Sequence, residues 1–166
     1  GFATADFDTW PALSRIILLT LMFTGACAGS TSGGIKLFRV MLVLKYGMRQ
    51  LRLHIRPRSV EKLKLGGTAV TKEVIRPVLG MVIFFIASFV VGAIFLAALG
   101  CDLTTSLTAS IAAVGNIGPG LGSVGPNGNY AAIPEAGKVA LAILMLIGRL
   151  EIFTALSLFA PTLWRD

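Results

Sequence analysis

Residues 103–122 read LTTSLTASIAAVGNIGPGLG. The first part, Leu103–Gly115, is too short to cross a hydrocarbon core of about 30 Å and too apolar for a surface loop. The second part, GNIGPGLG (Gly115–Gly122), sets four glycines and a proline directly behind it. Together they predict a half helix that enters a membrane partway, and a loop that brings the chain back.

Composition supports a membrane setting. Hydrophobic residues make up 55% of the 166 residues and charged ones only 14%, too little polar surface to cover a soluble core. The apolar runs are long and several, so a cleaved signal peptide does not account for them. Val78–Gly100 is uncharged and, at ~1.5 Å per residue, reaches about 35 Å, enough to span. Ala12–Leu44 is apolar but interrupted by CAGSTSGGIK (Cys27–Lys36), and Val139–Leu163 is long enough to span yet carries Arg149 and Glu151.

Eleven of the fifteen Lys/Arg residues lie between Lys36 and Arg76, opposed only by Glu61 and Glu73. A basic cluster can mark nucleic-acid binding. Here it joins two membrane segments, so the excess of positive charge on cytoplasmic loops explains it more simply, and no nucleic-acid partner is expected. With this loop inside, Gly100–Asp102 and Ser123–Lys138 lie outside, and Trp164–Asp166 return to the cytoplasm. Cys27 and Cys101 stand singly, as small packing residues rather than a metal or disulfide framework.

Irregular backbone at membrane depth is tolerated only where protein surrounds it or water lines it. Glycines that take positive φ can turn several carbonyls of GNIGPGLG toward one axis, and such oxygens can replace the hydration shell of an alkali cation. The C-terminal end of the half helix, near Ala113 and Val114, adds partial negative charge, while Asp102, Thr104 or Thr105 can cap its start. Phosphate readings fail on context. A dinucleotide loop opens a helix, whereas here the helix comes first. In GSTSGGIKL (Gly29–Leu37), Lys36 falls one place late for a phosphate-binding loop and Leu37 replaces the hydroxyl.

The segment SLTASIAAVGNIGPGLG resembles the last pore loop of the TrkH/KtrB superfamily of potassium uptake subunits, closer to the TrkH branch. FTGACAGSTSGGIKLFRVMLVLK (Phe23–Lys45) is similar to that family's interrupted helix after the third pore loop, and LIGRLEIFTALSLF to its final helix. The resemblance covers essentially the whole chain. It implies four hairpins around one pore, each giving a filter glycine. Here the fourth is Gly118 with Asn116, Ile117, Pro119 and Gly120, and the third is Gly1. Since one hairpin and the trailing half of another are visible, the chain is expected to be a C-terminal fragment.

AGSTSGG (Ala28–Gly34) should unwind, since glycine costs roughly 1 kcal/mol in a helix interior; the alternative is a small-residue packing face. The resemblance implies that Ala28, Gly29, Ser30, Thr31, Ser32, Gly33, Gly34 and Lys36 form an intramembrane gating loop beneath the filter. Arg149 is costly in a spanning helix and should face protein or water. Glu151, two residues on, points elsewhere, so Arg149 is expected to donate to the Ala28–Gly34 loop; a snorkelling role is the alternative. Asp6 and Asp8 either enrich cations at the outer mouth or, through Asp8 or Thr9, cap the helix entered at Pro11. Glu135 and Lys138 read as solvated entry residues of the last helix. No nucleophile–base pair is visible, and His54, the one histidine, lies in the basic loop.

The expected fold is therefore an all-α integral membrane protein. Residues 1–45 end a third pore loop and form an interrupted helix, and 46–77 form a basic cytoplasmic loop. Residues 78–166 form a fourth pore repeat, with a first helix at 78–100, pore helix at 103–114, filter at 115–122 and second helix at 139–163. The expected activity is gated potassium permeation without covalent chemistry or covalent cofactor. The resemblance further implies a homodimer in the bacterial or archaeal cytoplasmic membrane, with lipid around it and a cytoplasmic nucleotide-binding regulatory subunit. The competing function is a secondary transporter whose broken helices bind a small, anionic substrate at the midplane.

Overall fold

Five helices carry the architecture: α1 (Ala12–Phe23), α2 (Leu37–Ile55), α3 (Lys72–Ala98), α4 (Leu103–Gly115) and α5 (Glu135–Arg149). The computed structural model describes residues 3–25, 27, 29–30, 33–56, 64–65, 68–69 and 71–150. Gly1, Ala28, Thr31 and Ser32, the centre of the basic loop and everything after Leu150, including Glu151, lie outside the described residues.

The short helix α4 is the centre of the molecule. Every residue from Thr108 to Gly115 is buried, although the helix is rich in Thr, Ser and Ala. Small side chains let α3, α5 and α1 close around it, and its hydroxyls find partners on the way. Ser110 donates to the Phe89 carbonyl of α3 at 2.7 Å. Phe85 and Leu96 of α3, Leu141 and Leu144 of α5 and Met22 of α1 complete the core with Ile111 and Val114. Phe23, at the end of α1, meets Phe85 and Phe89 edge-on at 6.5 and 5.1 Å, the arrangement that aromatic quadrupoles favour.

The long helix α3 starts six residues before the expected Val78 and carries Pro77 inside. Proline this near a helix start forfeits only one ladder bond close to the frayed end. The gain is visible nearby: Ile75 packs on the fully buried Leu42 of α2, with Tyr46, Val78 and Leu79 around them. Helix α2 itself continues to Ile55, into the residues 46–77 expected as a loop. Farther along, Ile83, Val91 and Ile94 of α3 remain exposed, as lipid-facing positions of a spanning helix would.

Helix α5 starts at Glu135 rather than Val139, with Pro134 just ahead of it and Lys138 paired to Glu135 at 2.9 Å. The interruption between α1 and α2 is wider than AGSTSGG. Helical structure stops at Phe23 and resumes at Leu37. Between them, Thr24–Gly25 pairs in parallel with Ile35–Lys36, in the register Thr24 to Ile35 and Gly25 to Lys36. This two-residue ladder ties the two halves of the broken helix together.

Candidate functional site

The loop after α4 is built by the helix's own ending. Asp102 starts α4, accepting from the Thr105 N–H at 3.0 Å. The Thr105 hydroxyl and backbone hold its carboxyl below the usual carboxylate range. At the other end Asn116 takes a left-handed conformation, φ 52° and ψ 44°. Its N–H donates to Ala113 O at 3.1 Å, and the Ile117 N–H donates to Ala112 O at 2.9 Å. This pair of bonds is a Schellman cap, the usual way a helix is stopped in one step. The cap narrows one expectation: of the last carbonyls of α4 it engages those of Ala112 and Ala113, so the negative pole toward the loop is left to Val114 and Gly115.

Beyond the cap the chain folds back along α4. Thr108 is the main anchor. Its hydroxyl accepts from the Leu121 N–H at 3.0 Å, and its one proton is placed between the Thr104 carbonyl at 2.8 Å and the Leu121 carbonyl at 3.0 Å. The Gly120 N–H reaches Val124 O at 2.8 Å. The Gly122 N–H reaches Asp8 Oδ1 at 3.3 Å across 114 residues of sequence. The Thr105 hydroxyl meets Ser123 Oγ at 3.0 Å and accepts from the Ser123 N–H at 3.2 Å. The Gly118 carbonyl, on a residue with φ 109°, accepts from the Tyr130 phenol at 2.7 Å. Asn116 Nδ2 donates to Met145 O of α5 at 3.1 Å.

These bonds sort the loop's polar groups by type. The N–H groups of Asn116, Ile117, Gly120, Leu121 and Gly122 donate into the protein, Pro119 has none, and the Gly118 N–H meets no acceptor among the described residues. The carbonyls of Asn116, Ile117, Pro119 and Gly120 receive no hydrogen bond from the described residues. A loop with most of its donors engaged and most of its acceptors left over presents negative potential. Positive φ at Asn116 and Gly118 alternates with Ile117 rather than running consecutively.

The broken helix meets the same place. A Cβ built on Gly33 would lie 2.5 Å from the Gly115 carbonyl oxygen and 3.0 Å from Asn116 Cβ, and one built on Gly25 would lie 2.5 Å from the Gly33 carbonyl oxygen. Backbone therefore stacks on backbone from Gly25 through Gly33 to the end of α4, where any side chain would hold them apart. Gly34 is buried at φ 80°, Gly29 is exposed at φ 89°, and the Ser30 N–H donates to Cys27 O at 3.1 Å. Lys36 sits in the strand pair, half-buried. A groove of about 300 Å³ runs between α1 and the loop, lined by Leu18, Met22, Gly33, Gly115, Ile117 and Pro119 among others. Arg149 is exposed on the last turn of α5. Its neighbour Gly148 lies directly against the Val114 carbonyl and Asn116.

Asp6 and Asp8 do not cap α1, which follows Pro11 without a side-chain cap bond. Asp6 instead accepts from the Asp8 N–H at 3.1 Å and from Asn127 Nδ2 at 3.0 Å. The two carboxylates thus clasp the segment before α1 to the turn after the glycine loop. Sequence reasoning passed over Gly25, Thr108 and Tyr130. Gly25 stands only three residues before the glycine run and was legible as its forerunner, but nothing in the local sequence marks Thr108 or Tyr130 as loop anchors.

A helix-rich, apolar chain with a buried short helix and a loop of unengaged carbonyls is the kind of structure found among membrane proteins. Residues 1–165 match the family model described as TrkH, cation transport protein; the chain belongs to the TrkH family. It is 40% identical to the Trk system potassium uptake protein TrkI of Halomonas elongata and 38% identical to TrkH of Salmonella typhimurium, in both cases over 100% of this chain and 34% of the relative. The crystal structure of the potassium transporter TrkH from Vibrio parahaemolyticus superposes with a TM-score of 0.88 at 40% identity, over 99% of this chain and 35% of that one. The chain thus spans about a third of the length of these relatives.

Proposed function

We propose that this chain supplies part of a potassium-conducting pore, with the carbonyls of the loop from Asn116 to Gly120 forming one wall of its filter. The observation that carries this reading is the sorting of the loop's polar groups, with all N–H groups but that of Gly118 turned inward and four carbonyl oxygens left over. A dehydrated alkali cation needs oxygens in place of its water shell. An anion needs several N–H groups and finds only one here, so the anionic-substrate transporter is disfavoured. The relatives' names, potassium uptake proteins of the Trk system, point the same way.

On this reading Gly1 and Gly118 are filter glycines of successive repeats, and the remaining pore wall comes from parts of the longer protein. The broken-helix stretch Ala28–Lys36 is the gate. Gly33 rests against the foot of the filter, and Arg149 stands one residue beyond the contact of α5 with Asn116. A homodimer in the cytoplasmic membrane, regulated by a nucleotide-binding cytoplasmic subunit that docks near the basic loop, completes the proposal.

Rubidium uptake by proteoliposomes containing the full-length protein, with sodium as competitor, is the test. Uptake that prefers K⁺ and Rb⁺ over Na⁺, and loses that preference in Gly118→Ala, is expected. Ala at φ 109° costs about 1–2 kcal/mol of backbone strain. Equal uptake and selectivity in both proteins would reject the filter assignment. Arg149→Ala is expected to raise the open fraction of the same protein; unchanged flux would reject its gating role.

A further inference from the structure

The Tyr130 phenol stands behind the loop at a position that no transport reading requires, half-buried and separated from the glycines by a turn of its own. That turn is the one-turn helix Tyr130–Ala132, started by Asn129, whose Oδ1 accepts from the Ala131 N–H at 3.0 Å, and ended by the Ile133 N–H on the Tyr130 carbonyl at 3.2 Å. The tyrosine ring packs on the central core. Its hydroxyl is thereby fixed, and it ends 2.7 Å from the Gly118 oxygen.

The peptide unit it grips is unusual. Gly118 is followed by Pro119, so this amide has no N–H, and its oxygen is its one polar handle. The following peptide is held by the Gly120 N–H on the Val124 carbonyl, whereas the Gly118 N–H of the preceding one meets no acceptor among the described residues. The 118–119 peptide has no N–H to be held by. The proline ring fixes φ at 119, so the freedom left to this unit is the ψ of Gly118, a residue at φ 109° with no side chain to restrict it.

We infer that Tyr130 is a positioning residue for ion selectivity, whose hydroxyl fixes the orientation of the Gly118 carbonyl and hence of the oxygens beside it. This inference rests on the filter reading given above. A carbonyl oxygen has two lone pairs. With one engaged by the phenol from behind, the oxygen cannot swing toward a smaller ion, and its second lone pair is polarised by the first bond. A filter distinguishes K⁺ from Na⁺ through the number, placement and field of its oxygens. Releasing one of them weakens discrimination while leaving permeation in place. Burial raises the phenol's pKa, so the donor stays protonated throughout ordinary assay conditions.

The test is Tyr130→Phe in the full-length protein, which removes the hydroxyl and keeps the ring. Reconstituted protein is assayed for K⁺ and Na⁺ permeability beside its melting temperature and elution volume. The K⁺/Na⁺ ratio is expected to fall about 3- to 10-fold, the worth of one ordinary hydrogen bond, with K⁺ flux persisting. A ratio equal to the parent's, with K⁺ flux intact, overturns the inference. Incorporating 3-fluorotyrosine at 130 gives a stronger donor of nearly the same shape and covers the case in which the phenylalanine form does not assemble. There the ratio is expected to rise, and a ratio at or below the parent's overturns the inference. Parent protein that carries K⁺ with no preference over Na⁺ would instead overturn the filter reading itself, so the two failures are told apart.

Discussion

Two glycine-rich interruptions meet at the end of α4, and they are held in opposite ways. The loop from Asn116 to Gly122 is sewn down by hydrogen bonds to Thr108, Asp8, Tyr130 and Val124. The stretch from Thr24 to Lys36 is tied at its ends by a two-residue strand pair, and in its middle the Gly33 backbone packs directly against Gly115. A loop fixed by side-chain hydrogen bonds keeps its oxygens in place. A close approach of backbone to backbone depends instead on the absence of a side chain. On the proposed reading the first loop is filter and the second gate, and the difference in their attachment can be attacked residue by residue.

The largest expected effect comes from Gly33→Ala. The new methyl has backbone, not a flexible side chain, in its way, so the broken-helix loop must shift off α4. Overpacking of this kind costs about 1–3 kcal/mol, read as a lower melting temperature of the full-length protein. An unchanged melting temperature would mean that the two loops do not press on each other. Thr108→Val strikes the other side of the comparison. It keeps shape but leaves the buried Leu121 N–H without its acceptor, at about 1–3 kcal/mol. The expected result is a destabilised protein with reduced K⁺ preference, and wild-type stability together with wild-type preference would show that the loop is not held there.

Smaller effects sharpen the picture. Asp8→Ala removes the acceptor for the Gly122 N–H and is expected to cost about 1 kcal/mol, whereas Asp8→Asn keeps an acceptor oxygen and should behave like the parent. If Asn and Ala are equally damaging, charge and not positioning is what Asp8 contributes. Asp102 has the mildest role, at the exposed start of α4. Its folded carboxyl titrates below its ordinary value, so its stabilisation is complete above the usual carboxylate pKa and is lost as pH falls through the depressed one. Asp102→Asn should therefore flatten the acid limb of a melting-temperature profile while leaving the neutral region nearly unchanged. A parallel acid limb in both proteins would contradict the capping role.

What could be read in advance follows from how local each interaction is. The end of α4 was legible because glycine and asparagine directly behind a short apolar run signal a cap within two residues. The break before α2 was legible in kind, from three glycines and their hydroxyl neighbours, but not in extent. Thr24 and Gly25 leave the helix because they pair with Ile35 and Lys36, a contact between positions eleven residues apart. The helix expected from Val78 starts six residues earlier, at Lys72, since the packing of Ile75 on Leu42 outweighs the backbone bond lost at Pro77. Asp8 and Tyr130 reach the loop through tertiary folding alone, and composition offers no sign of either. Of the two features that make the loop suited to a cation, the helix pole is in part neutralised by the Schellman cap, and the loop's surplus of carbonyl oxygens carries the proposal.

Anomalous diffraction from crystals of the full-length protein, soaked in parallel in rubidium and in bromide, tests the central claim most directly. Rubidium density within coordination distance of the Asn116 and Ile117 carbonyl oxygens, with none for bromide there, is the result this account predicts. Bromide at that position with rubidium absent would contradict it.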